Sequence, residues 1–371
     1  MKKIAYTITT AFILAACSSE PTATQTTQTQ DPLKDILVKK TTVVTPAQNT
    51  QPENPFFNQN SAPVSQTGFL ANPNVQAFIQ YQSQKNGLDI NYLTNFFSQV
   101  NYRGNLINTM NRPATSTPWY KFKTGNSGAA KINPGRTFYQ QNRSTINAAA
   151  NRYGVPAELI VAILGIETNY GKNAGNVRTA DSLATLAFDY PRRGALFQKE
   201  LGEFLKMAQE ENRDPFSFSG SFAGAMGMPQ FMPSSFRQYA VDADGDGKRN
   251  IWSSKADVAA SVGNYMKQHG WQTGKPMIVP AAVQETAQII KLTEENTALN
   301  YTVGQLRQMG VQPLQPVADN ERALLYRLEV APNQYDYFIG LNNFYTVWNY
   351  NHSRMYVTAV RDIANGLGGR L

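Results

Sequence analysis

The 371-residue chain has one cysteine, Cys17, and only two histidines, His269 and His352. A lone cysteine excludes a disulfide framework and any site built from paired thiolates, so the fold must stand on its hydrophobic core. With 42% apolar composition, a chain of this length can build one. The histidines sit in helical or loop contexts without metal-ligand spacing, which argues against a His-based zinc site and a Ser-His-Asp triad. No internal repeat, dense Lys/Arg run or nucleic-acid-binding motif is present, so the formal charge of +8 does not point to nucleic acid. The apolar run at residues 4–14 is too short to span a bilayer and has the length of a signal-peptide core.

What is present begins at that run. It follows the positive Met1-Lys2-Lys3 and ends in Leu14-Ala15-Ala16-Cys17, which resembles the lipobox of bacterial lipoproteins. That resemblance implies a signal peptide over 1–16 and a lipid on the sulfur of Cys17, which also accounts for an unpaired thiol in an oxidising compartment. Ser18 resembles the residue that permits export to the outer membrane, so the expected location is lipid-anchored in the outer membrane, facing the periplasm. The other reading is an ordinary secretory peptide with an accidental cysteine. Losing Lys2 and Lys3 with the signal peptide lowers the charge to +6. Such a surface suits lipid headgroups or a cell-wall polymer bearing peptide carboxylates.

Residues 17–66 carry the lipidation site and then a stretch rich in Thr, Gln, Pro, Asn and Ser. It cannot bury enough apolar surface to offset its ordering entropy and reads as a flexible linker. Helical spacing starts near 69, in Pro73–Ile79 and Ile90–Phe97, giving an N-terminal helical domain over 67–145. Residues 146–275 read as a mostly helical catalytic core. Residues 276–335 form a small inserted α/β or β lobe, with Met277–Pro280, Thr286–Ile290 and Ala323–Glu329 as candidate strands. Residues 336–371 return to helix and complete the core. The fold class is mainly α (α+β).

The most informative helix is Tyr153–Gly171, with Pro156 placed to start it and Gly171 to stop it. It is apolar almost all round and should be buried. Glu158 lies in its first turn and is given no function. Glu167 lies near the C-terminal end, where the helix dipole and desolvation both disfavour a carboxylate and push its pKa upward, as a general acid requires. Ile160, Ile163 and Leu164 share its face and are expected to wall a pocket. On the helix alone, a structural Glu paired with an Arg fits equally well. The next acids, Asp181 and Asp189, suit capping or pairing.

Gly165-Ile166-Glu167-Thr168-Asn169-Tyr170-Gly171 resembles the catalytic motif of the lysozyme-like lytic transglycosylases. Ala187–Arg193, Ser221–Ser235 and Tyr350-Asn351-His352-Ser353 narrow the resemblance to the membrane-bound lytic murein transglycosylase B group, over roughly residues 68–371. The resemblance implies a lysozyme-like core and cleavage of the β-1,4 bond between N-acetylmuramic acid and N-acetylglucosamine, for wall remodelling and turnover. Glycosidases ordinarily use two carboxylates; here one is implied to suffice. Glu167 would protonate the glycosidic oxygen, and the muramoyl acetamido oxygen would stabilise the cationic centre. Glu167 would then take the proton of the C6 hydroxyl attacking C1, leaving a 1,6-anhydromuramoyl end. The resemblance also implies saccharide contacts from Ser221 and Gln230, ring faces from Tyr265 and Tyr350, and an amide from Asn351. Arg192 and Arg193 would meet stem-peptide carboxylates, for which an Arg fork is suited.

Asp242-Ala243-Asp244-Gly245-Asp246-Gly247-Lys248 resembles the start of an EF-hand, with acids at positions 1, 3 and 5 and Gly at 6. Ser253 replaces the bidentate Glu at position 12, and Asp257 is placed to close an extended loop over 242–257. A structural Ca²⁺ is expected on Asp242, Asp244, Asp246, the Lys248 carbonyl and Asp257; the other reading is a turn with no ion. No cofactor is expected for the chemistry. The expected partners are peptidoglycan glycan strands and, through the anchor, a membrane, with other cell-wall enzymes open and a monomer as the working state. The competing readings are a lysozyme-type hydrolase, a wall-binding lipoprotein without turnover, and a calcium-dependent structural lipoprotein.

Overall fold

A computed structural model describes residues 61–111 and 117–371. Cys17, the signal peptide and nearly all of the linker lie outside these residues. No described helix is long and apolar enough to cross a membrane.

The body opens with four helices, α1 (Val64–Thr67), α2 (Pro73–Asn86), α3 (Ile90–Gln99) and α4 (Gly104–Asn111). Asn72 and Asp89 cap α2 and α3, each accepting a backbone N–H of its first turn. Phe78 and Phe97 set their rings edge-on to Phe188, so these helices join the central core. Then come α5 (Trp119–Asn126), α6 (Ala129–Gln141), α7 (Arg143–Tyr153) and α8 (Ala157–Thr168). α8 buries every residue except Glu158, Ile166 and Glu167, as an all-apolar helix must. Pro156 precedes its first residue, and the left-handed Asn169, not Gly171, ends it.

Strand β1 (Val177–Arg178) leads into α9 (Thr179–Asp189), and a 3-10 turn at Pro191–Arg193 joins α10 (Gly194–Glu210). β2 (Ser219–Gly220) pairs antiparallel with β1 and opens the loop that runs to α11 (Pro233–Tyr239). α12 (Lys255–Gln268) follows the acidic loop, with Ser254 as its N-cap.

The lobe consists of β3 (Ile278–Val283), α13 (Ala287–Glu294), β4 (Tyr301–Thr302), α14 (Val303–Gln308), β5 (Val311–Pro313), β6 (Arg322–Ala331) and β7 (Gln334–Gly340). Its sheet is antiparallel, in the order β4-β6-β7-β3-β5. Two expectations change here. Thr286–Ile290 is the start of a helix, because the Thr286 hydroxyl accepts Ile289 N–H as an N-cap. The boundary at 335 cuts through β7, a central strand, so the lobe runs on to Gly340. Both sheet faces are covered, which explains the nearly unbroken apolar run in β6. Leu324, Tyr326, Leu328 and Phe338 join the main core, while Ala323, Leu325, Tyr337 and Ile339 pack with Ile289, Leu292, Val303 and Leu306 of α13 and α14. The chain closes with α15 (Asn342–Trp348) and α16 (Arg354–Gly366), and α16 lies against α8.

Candidate active site

Glu167 stands on the last turn of α8, half-buried like Ile166 before it, while Gly165 and Thr168 are buried. Three features mark that turn and the loop packed on it. Thr168 donates its hydroxyl to Met228 O at 3.0 Å and accepts Gly171 N–H at 3.0 Å. Asn169 and Tyr170 both take positive φ, at 51° and 62°. Gln230, across the loop, has φ 54°. Non-glycine residues rarely adopt this conformation, and such strain persists only where the surroundings enforce it, as at functional sites.

Tyr356 of α16 donates its hydroxyl to Glu167 Oε1 at 2.7 Å. Ser353 caps α16 by accepting Tyr356 N–H, which fixes the first turn that carries the ring. Burial, and then the charge of Glu167, raise the Tyr356 pKa well above the ordinary phenol value, so it remains a donor at physiological pH. From α6, Lys131 lies near enough to feel the same carboxylate: burial lowers its pKa, and the Glu167 charge opposes that. Sequence reading missed both residues. Tyr356 lies 189 positions from Glu167, and neither side chain stands in a motif that announces the contact.

The loop from β2 to α11 is folded onto this turn. Ser221 N–H donates to Ala225 O, its hydroxyl accepts Ala225 N–H, and Met226 bridges to Gly220 and Phe231. Gly220 has no room for a side chain, since a Cβ would lie 2.1 Å from Ala225 O. Gln230 donates its amide to Ala174 O at 3.1 Å and Gly227 O at 2.9 Å, tying the loop to the segment after Glu167. Asn351 is buried, and its Oδ1 has no partner among the described residues.

Tyr265 and Tyr350 depart from expectation. They are 0% and 2% exposed, so neither offers a ring face to a saccharide. Tyr265 stacks on His269 at 3.9 Å and donates to Asn349 O at 2.8 Å. Tyr350 donates to Pro229 O and lies between Tyr265, Phe231 and Tyr356. They form an aromatic wall behind Tyr356, because α16 packs on α8 and the turn after α15 meets Tyr265 of α12. Ile160, Ile163 and Leu164 are core residues, exposed by 1% or less.

Arg192 and Arg193 form the 3-10 turn between α9 and α10, with Arg192 exposed and Arg193 half-buried. Neither following acid faces Glu167's role: Asp181 pairs with Arg103 at 3.1 Å and Arg178 at 2.7 Å, and Asp189 accepts Val64 and Ser65 N–H.

Of the five expected metal ligands, Asp242, Asp244 and Asp257 bring carboxylate oxygens within 4.8 Å of one another. A hard cation fits this all-oxygen set. Asp246 is exposed, outside that trio, and accepts Lys248 N–H at 2.9 Å. The acidic loop is tied to β2 and the loop that runs from it to α11: Trp252 Nε1 donates to Ser219 O at 3.0 Å and Met228 N–H to Ile251 O at 2.9 Å.

Residues 70–365 match the family model described as the transglycosylase SLT domain. The chain is 38% identical over 360 residues to the membrane-bound lytic murein transglycosylase B of Escherichia coli K12, covering 94% of this chain and 92% of that protein. The structure of the catenated lytic transglycosylase SltB1 from Pseudomonas aeruginosa is 39% identical with a TM-score of 0.76, covering 80% of this chain and 97% of that one. The Escherichia coli lytic transglycosylase SLT35 in complex with calcium is 39% identical with a TM-score of 0.72, covering 82% and 96%. With its lysozyme-like helical core, the carboxylate of Glu167 on the last turn of α8 and these matches across nearly its whole described length, the chain belongs to the SLT-domain transglycosylase family.

Proposed function

We propose that this chain is a lytic transglycosylase of peptidoglycan in which Glu167 is both the acid and the base. The observation that carries the assignment is the Glu167 carboxylate, held on a buried helix by the Tyr356 hydroxyl at 2.7 Å, in a chain 38% identical to a lytic murein transglycosylase.

Protonated Glu167 gives its proton to the oxygen between N-acetylmuramic acid and N-acetylglucosamine, and the C1–O bond breaks. The muramoyl acetamido oxygen holds the electron-poor C1 from within the substrate. The ionised Glu167 then takes the C6 hydroxyl proton as that oxygen attacks C1. A 1,6-anhydromuramoyl end results, Glu167 is reprotonated, and no water is consumed. Tyr356, locked as a donor, orients the carboxylate in both halves of the cycle.

Asn351 Oδ1 is the polar atom best suited to meet a sugar hydroxyl, since burial without a partner is costly. Ser221 and Gln230 shape the saccharide loop, and Arg192 and Arg193 meet stem-peptide carboxylates. Asp242, Asp244 and Asp257 hold a calcium ion with Asp246 and the Lys248 carbonyl. When bound, that ion supplies the positive charge that offsets the clustered carboxylates, and no chemical step passes through it. The enzyme works in the cell envelope, anchored to the outer membrane through a lipid on Cys17 and reaching the wall on its linker.

Mass spectrometry of muropeptides released from purified sacculi by the detergent-solubilised chain tests this reading. Products one water lighter than hydrolysis products support it. Reducing ends would make the chain a hydrolase, and no release would make it a binding scaffold.

A further inference from the structure

The turn that carries Glu167 is gripped from one side by a single residue of α6. Lys131 Nζ donates to Gly165 O at 2.8 Å, and the Lys131 carbonyl accepts the Tyr170 hydroxyl. Gly165 O also accepts Asn169 N–H, so this carbonyl is where the helix, its left-handed exit and the lysine meet. The packing leaves no slack. A Cβ on Gly165 or on Gly135 would lie 2.5 Å from Tyr170 Oη, so both helices approach through glycine to let that hydroxyl reach Lys131 O. Tyr170 holds φ 62°, a conformation a bulky residue keeps only when tied down. Lys131 is half-buried, with its amine committed to Gly165 O.

We propose, on the reading of Glu167 as acid and base, that Lys131 is a positioning residue for transglycosylation: its ammonium fixes the last turn of α8 and favours the Glu167 carboxylate that receives the C6 hydroxyl proton. The two jobs come from one side chain, because the hydrogen bond sets the turn and the charge acts across it. The direction of the Lys131 shift agrees, burial lowering its pKa and the Glu167 charge raising it. Among the described residues, phenols also feel the Glu167 charge. Tyr350 and Tyr356 are both held protonated, by burial first and the Glu167 charge second. α12 contributes Tyr265, whose hydroxyl is committed to Asn349 O, and α7 turns Ile146 and Ala149 inward.

The test compares Lys131→Met, Lys131→Arg and Tyr170→Phe in the full chain, reading kcat and KM against pH on soluble glycan strands. Removing the positive charge makes the Glu167 carboxylate less favourable and raises the acid's pKa. In Lys131→Met the alkaline limb of kcat/KM should therefore move upward by about one pH unit. Its kcat near neutrality should fall about tenfold with KM within twofold of wild type. Lys131→Arg should restore the profile. Tyr170→Phe, which opens the same clamp without removing the charge, should lower activity and leave the limb in place. A Lys131→Met limb that coincides with wild type, or an equal shift in Tyr170→Phe, overturns the proposal. If Lys131→Met is unfolded by circular dichroism, Lys131→Gln carries the same expectation. Wild-type chain that yields no anhydro products would instead sink the transglycosylase reading on which this rests.

Discussion

Asp257→Asn asks whether the acidic loop is organised by its own hydrogen bonds before a cation binds. Asp257 is 0% exposed and accepts backbone N–H from Ala243 at 2.8 Å, Asn250 at 2.7 Å and, at a longer 3.4 Å, Asp244. Hydrogen bonds to an ionised acceptor contribute about 1.5–3 kcal/mol each, about twice the neutral kind. Asn can keep one carbonyl oxygen toward Ala243, but its amide then faces Asn250 N–H, donor against donor. The variant loses one strong bond, weakens another and strands a buried donor, a cost of about 3–4 kcal/mol. For a body of this size that is a fall of about 5–6 °C in Tm. Thermal melts in a chelator should show this fall in Asp257→Asn and little change in Asp244→Ala, whose exposed carboxylate holds only Ser254 Oγ at 2.6 Å and a long bond from Asp246 N–H. Added calcium should raise the wild-type Tm and leave Asp244→Ala nearly unmoved. An Asp257→Asn variant as stable as wild type in chelator, or an Asp244→Ala variant that falls as far, would refute the reasoning.

Two further outcomes separate catalysis from packing. Tyr356→Phe removes the hydroxyl that donates to Glu167 Oε1 and should lower kcat about tenfold while changing Tm by less than about 2 °C, because the ring stays in the core. Tyr265→Phe breaks the bond to Asn349 O, so it should cost about 1–2 kcal/mol in denaturant melts and leave KM within twofold. A KM raised tenfold at unchanged stability would put Tyr265 back in contact with glycan.

The sequence announced what is local. An all-apolar helix interrupted by one late carboxylate marks itself, and Glu167 stands where that pattern places it. Asp257 was expected from the family resemblance to close the acidic loop, and its carboxylate lies within 4.8 Å of those of Asp242 and Asp244. The strands of Met277–Pro280 and Ala323–Glu329 were legible from their apolar runs, but Thr286–Ile290 was not, since a short apolar run fits either element until its cap is seen. Aromatic residues misled for a similar reason. Composition says that Tyr265 and Tyr350 are large and partly polar, not which way their rings face, and α16 closing on α8 decides that. The same closure brings Tyr356 to Glu167 across 189 positions, and no periodicity can show such a contact. The lobe's boundary failed because β7, read as the return to helix, is paired on both sides within the sheet.

The central claim is that one carboxylate does all the proton transfer. Turnover of purified sacculi by Glu167→Gln measures this most directly, with glycan binding followed on the same protein. Gln keeps the size and can still accept from Tyr356, so binding should persist within a few-fold. Turnover should fall by about a thousandfold or more, the range of a single general acid whose task no other group takes over. Turnover within tenfold of wild type, by a folded and glycan-binding variant, would contradict the account.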